Sequence, residues 1–159
     1  MIKQFTELEV KNQNYLSGRG VQFEIVCLTA NILKHCIFDA KMSMRVFLRE
    51  NHVHDFFSQA NGQESKCMVK THILTFMRDI PTETSLYRAG ARGDCRMWFG
   101  SAILPVTEAD DVYLVTTIDK EFYIVNITKI DIETCCQTSF PSPVQRWMKE
   151  VSNKIKDSN

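Results

Sequence analysis

Hydrophobic and polar positions change period several times along the chain, and each change marks a predicted element. Ile2, Phe5, Leu8 and Leu16 form a loose helical stripe that stops at Ser17-Gly18-Arg19-Gly20, where two glycines supply turn geometry. Residues 21 to 29 alternate Phe23, Ile25 and Cys27 against Gln22, Glu24 and Val26, the period of a strand. Residues 45 to 48 are a short apolar run predicting a strand, followed by Asn51 as a competent N-cap and by Val53, Phe56 and Phe57 at helical spacing. Beyond the turn signal Ala60-Asn61-Gly62, strands are predicted over 67 to 77, over 85 to 88 after a break at Pro81, and over 96 to 103. Residues 111 to 117 and 122 to 127 form the clearest hairpin, joined by Ile118-Asp119-Lys120-Glu121, and residues 130 to 134 add a further strand. Ser142 followed by Pro143 opens a terminal helix with Val144, Trp147, Met148, Val151 and Ile155 on its apolar face.

About seven mostly antiparallel strands, a short helix near Asn51 and a helix at each end predict a mainly β fold. A barrel or pseudobarrel with short flanking helices suits this pattern better than a βαβ arrangement. The predicted core runs over about 21 to 134 and the terminal helix over about 143 to 156. A chain of 159 residues suits a single domain, and 44% hydrophobic with 24% charged residues is the balance of a folded chain rather than a disordered one. No window approaches the roughly 18 apolar residues of a membrane span, and the first residues lack the apolar stretch of a signal peptide, so a cytoplasmic protein is expected. Six cysteines without a CxxC pair predict free thiols in a reducing compartment.

Nineteen basic and nineteen acidic residues cancel, but not evenly along the chain. Residues 31 to 49 carry Lys34, Lys41, Arg45 and Arg49 against Asp39, and residues 86 to 98 carry Arg88, Arg92 and Arg96 against Asp94. Residues 107 to 133 hold seven carboxylates against two lysines, which predicts a positive and a negative side. Candidate chemistry is sparse. Asp55, Glu64 and Lys66 have the residue types of a metal-dependent nuclease, although Glu-x-Lys triplets arise readily by chance on solvated surfaces. His52 and His54, with His35, Cys36 and His72 as further ligands, have the chemistry of a zinc site only if their segment is extended. No pattern for covalent catalysis or for phosphate or dinucleotide binding is present, so neither a cofactor nor a catalytic residue is assigned.

The segment from Leu86 to Gly100 (LYRAGARGDCRMWFG) is the most informative. Arg88, Arg92 and Arg96 fall on or beside one turn, Gly90 and Gly93 permit close backbone approach, and Trp98 anchors the strand that follows. An arginine fork fits guanine O6 and N7, and a carboxylate accepts from cytosine N4, so Arg92, Asp94 and Arg96 can read bases; a solvated turn is the alternative.

The order of features resembles the N-terminal effector-binding domain of EcoRII-type restriction endonucleases, a DNA-binding pseudobarrel akin to the B-three domains of plant transcription factors. Leu28-Thr29-Ala30-Asn31 resembles the stretch that opens that family's first basic loop, here with Lys34 and His35. Residues 44 to 57 resemble the strand and short helix that come next. Arg92-Gly93-Asp94-Cys95-Arg96-Met97 resembles the second arm, with Gly93 and Asp94 in place of the usual Asn and Glu.

The resemblance spans about 21 to 134. It implies duplex DNA binding through the major groove by two loop arms, as the recognition module of a restriction system. The arms would use Arg88, Arg92, Asp94, Arg96 and Trp98 on one side and Asn31, Lys34 and His35 on the other. A nuclease or motor domain would be a partner, in the same chain or another. Two rivals remain: a small nuclease built on Asp55, Glu64 and Lys66, and a protein-interaction module using Asp110, Asp111, Asp119 and Glu121.

Overall fold

A computed structural model describes residues 4–35 and 37–158. Helix α1 (Glu7–Ser17) starts at Thr6, whose hydroxyl accepts from Glu9 N while Glu9 Oε1 accepts from Thr6 N, a reciprocal capping box. Next come β1 (Glu24–Leu28), α2 (Ala30–His35), β2 (Ile37–Asp39) and α3 (Met42–Glu50). Strands β3 (Cys67–Leu74), β4 (Asp79–Ala89), β5 (Asp94–Trp98), β6 (Asp111–Ile118) and β7 (Glu121–Asn126) follow, then α4 (Ile132–Gln137) and α5 (Pro143–Ser158).

The strands make one seven-stranded sheet in the order β1-β6-β7-β3-β4-β5-β2. Every pairing is antiparallel except β3 with β7, where Thr71 lies against Phe122 and Leu74 against Val125. The mixed sheet curls into a half-barrel, as the sequence predicts. Among the described residues, helical residues nevertheless outnumber strand residues, at 39% against 31%.

Two apolar clusters divide the sheet faces. Inside the curl, Val26, Val69, Ile73, Leu86, Met97, Tyr113, Val115 and Ile124 pack with Met44, Phe47 and Leu48 of α3 and with Phe56, Phe99 and Ile103. On the outer face, Val112, Leu114, Ile118 and Val125 pack under Leu16 of α1, Ile132 of α4 and Val144, Trp147, Met148 and Val151 of α5. Trp147 is buried and its Nε1 donates to Thr116 Oγ1 at 3.1 Å, so an aromatic of this size contributes about 3–5 kcal/mol through burial while its polar atom is satisfied. Helix α1 is latched by Asn12, which donates to the Ile127 and Ile130 carbonyls and accepts from Ile132 N, all within 3.0 Å. Strand β6 is covered on both faces. On β5, Cys95 and Met97 point inward while Asp94, Arg96 and Trp98 occupy the uncovered outer face.

The hairpin of β6 and β7 forms as predicted, and its two turn residues, Asp119 and Lys120, have φ of 51° and 69°, the signature of a twist-compatible two-residue turn. Other boundaries differ. Residues 42 to 50 form one helix, not a strand followed by a helix, because Met44, Phe47 and Leu48 fall on one core-facing stripe; Asn51 closes this helix instead of opening another. Pro81 lies within β4, in the stretch that pairs with β3 alone and is therefore an edge, where a missing amide is tolerated. The strand predicted over 96 to 103 ends at Trp98; Gly100 follows with φ of 82°, and Ser101–Val106 forms a 3-10 helix. Residues 130 to 134 run into helix α4, capped by Asp131 accepting from Thr134 N, rather than a strand. The expected loop after Leu28 is helix α2 over most of its length. Ile2 and Cys36 lie outside the described residues. No helix among the described residues is long and apolar enough to cross a membrane.

Candidate nucleic-acid interface

The turn between β4 and β5 is braced from below. Arg88 donates through Nε (2.8 Å) and one terminal nitrogen (2.6 Å) to the Phe56 carbonyl, and through the other (2.8 Å) to the Gly93 carbonyl. Gly62 N donates back to the Arg88 carbonyl, and Gln59 Nε2 donates to the carbonyls of Leu86 and Ser65. Gln59 is itself fixed by His54 at 3.1 Å, and burial pushes the His54 pKa down, favouring the neutral ring. Gly93 has φ of 70°, and a Cβ there would stand 2.6 Å from Asn61 Oδ1. Conformation and crowding both favour glycine here, where the resembling family usually has asparagine.

Above this brace, charged groups run in a chain. Arg92, 87% exposed, reaches Asp94 Oδ2 at 3.4 Å, and the same oxygen lies 3.5 Å from Arg96. Arg96 Nε is 2.8 Å from Asp39 Oδ1 on β2, but the approach lacks hydrogen-bond geometry, so this buried nitrogen has an ionic neighbour and no acceptor. The outer end of Arg96 stays accessible, its side chain being 35% exposed.

Strands β1 and β2 are the two edges of the sheet, and a groove of about 780 Å³ opens between them. Its walls include Glu24 and Cys27 of β1, Asn31 and His35 of α2, and Asp39 and Arg96. Helix α2 contributes Asn31, Ile32 and His35 to the lining and starts where Thr29 Oγ1 accepts from Ile32 N at 3.3 Å. Glu24 Oε2 accepts from the Ser43 hydroxyl at 3.2 Å. Burial raises the Glu24 pKa, offset in part by Ser43 and by the charge of Lys41.

The predicted residues therefore separate into groups. Asn31, His35 and Arg96, from segments some sixty residues apart, line one groove. Lys34 and Arg92 are exposed, and Asp94 links Arg92 to Arg96. Trp98, 40% exposed, instead lines a separate depression with Met68 and His72 on the outer face of the sheet. Arg88 is committed to the protein's own carbonyls, which leaves it a bracing role rather than a reading one. Sequence reasoning missed Glu24, Asp39 and Ser43. Glu24 was visible only as a polar position in an alternating strand.

Several residues of the rival readings are otherwise engaged. Asp55 caps a 3-10 turn by accepting from Phe57 N and Ser58 Oγ. Among the described residues no group of three or more histidines, cysteines and carboxylates could hold a metal ion. His72 is clamped between Asp79 at 3.0 Å and Glu121 at 3.0 Å and stacks on Tyr123. The expected negative side is largely neutralised: Glu108 pairs with Lys129, Asp119 with Lys154, and Asp131 and Glu133 with Lys11. Comparisons with protein-family models, curated proteins and solved structures found no match.

Proposed function

We propose that the chain binds duplex DNA sequence-specifically through the major groove, with helix α2 and the β4–β5 turn as its two arms, and serves as the recognition module of a restriction system. The observation that carries this reading is the convergence of Asn31, His35 and Arg96 on one groove, flanked by exposed Lys34 and Arg92. Asparagine suits adenine and arginine suits guanine in the major groove, while exposed lysine suits phosphate. The first arm is helical, not the loop expected from the sequence. The assignment to a restriction system rests on the resemblance to the EcoRII-type domain, and a zero net charge implies weak nonspecific binding.

The test is selection of bound duplexes from a randomised library at about 100 mM salt, where the nonspecific background is low. Enrichment of a motif of several base pairs is expected, and no enrichment overturns the proposal. Arg92→Ala or Arg96→Ala is then expected to weaken the preferred site by about 1–3 kcal/mol and random duplex little. Lys34→Ala weakens all duplexes alike and reduces the salt slope by roughly one.

A further inference from the structure

We propose that Glu24 is the groove's second base reader, accepting from the exocyclic amino group of a cytosine whose paired guanine is taken by Arg96, so that the recognised site contains a G·C pair in this orientation. This rests on the DNA-binding reading above and specifies part of its target. Glu24 stands on β1, at the sheet edge opposite the one formed by β2 and its neighbour β5. The other carboxylates nearby already serve arginines: Asp39 holds Arg96, and Asp94 lies between Arg92 and Arg96. Among the described residues no arginine or lysine stands within 4 Å of Glu24, although the charge of Lys41 in the same lining acts on it; Ser43 engages one of its oxygens, and the other accepts no hydrogen bond.

A partly desolvated carboxylate with a spare oxygen is stabilised by a donor that enters with the ligand. In the major groove guanine presents two acceptors, O6 and N7, which match an arginine fork, and its cytosine presents the N4 amino donor. One G·C pair therefore offers a chemical partner to each of the two groove-lining groups. The reversed pair would set guanine's acceptors against the carboxylate, and a thymine at the Glu24 side would bring its O4 acceptor there. Burial in the wall, which raises the Glu24 pKa, also makes an unsatisfied contact more unfavourable and so sharpens discrimination.

Bound duplexes are selected from a randomised library with the wild-type chain, Glu24→Ala and Glu24→Gln, and thermal unfolding is recorded for all three. The wild type is expected to enrich a motif with a G·C position favoured roughly tenfold over other pairs. Glu24→Ala loses that preference at this one position while keeping the rest of the motif. Glu24→Gln, whose amide pairs bidentately with adenine, admits adenine there and serves as the test should the alanine variant not fold. A motif unchanged in both folded variants, or a wild-type motif without a G·C position, overturns the role of Glu24 and leaves the DNA-binding reading intact. No enriched motif with the wild type removes both.

Discussion

Arg88 and Arg92 lie four residues apart in one basic segment, yet they carry opposite structural burdens, and replacing each by methionine separates them. Methionine retains most of the aliphatic stem but removes three hydrogen bonds from Arg88, at 2.8, 2.6 and 2.8 Å, to two backbone carbonyls. Hydrogen bonds to charged groups contribute about 1.5–3 kcal/mol each, but two of these share one acceptor, and Phe56 O keeps the Gln59 amide. Water reaching the vacated carbonyls recovers part of the remainder, leaving a loss of about 2–3 kcal/mol. For a domain of this size that lowers Tm by about 5–10 °C. Arg92 is 87% exposed, and Arg92→Met is expected to stay within about 0.5 kcal/mol of wild type. Thermal unfolding of the two variants side by side is the assay. Equal Tm values would refute the bracing role and return Arg88 to the surface arginines.

Two further outcomes concern stability. Burial opposes the charge on His72, but the hydrogen bonds and charges of Glu121 and Asp79 outweigh it, so its folded pKa lies above the ordinary value of 6.5. The clamp then stabilises fully below the unfolded pKa and is lost as pH rises through the folded one, so the Tm difference between wild type and His72→Gln shrinks from about pH 6 to pH 8; a constant difference would exclude this linkage. Asn12→Ala strips three hydrogen bonds from the α1 latch, two of them fully buried, so a loss of about 2–4 kcal/mol is expected in urea unfolding, and a loss below about 1 kcal/mol would mean the latch relaxes.

The strands were legible where one face meets a core and the other meets solvent, as in β3, or where a turn enforces the pairing, as at Asp119 and Lys120. Helix α3 was obscured because Val46-Phe47-Leu48 is a continuous apolar run with the look of a short strand. Pro81 gave the ordinary signal for a break, and only the pairing register reveals that β4 is an edge at that point. In the groove, Arg96 was legible from its type and its basic segment, and Asn31 and His35 only through the resemblance of the stretch that begins at Leu28. Glu24 and Asp39 were not, because their roles arise from the approach of β1 to β2, the two ends of the sheet order, which no local pattern encodes.

That approach gives helix α2 a mechanical meaning. Its six residues tie together two sheet edges that share no hydrogen-bonded ladder. Coiled, at 1.5 Å per residue, they span about 9 Å; drawn out, at about 3.3 Å per residue, they would reach about 20 Å. No α2 side chain is buried, and a helix this short has little stability of its own. Straightening it would break no strand pairing but would withdraw Ile32 and Leu33, which pack against the inner core, so the separation of the two sheet edges is held by these contacts together with the helix.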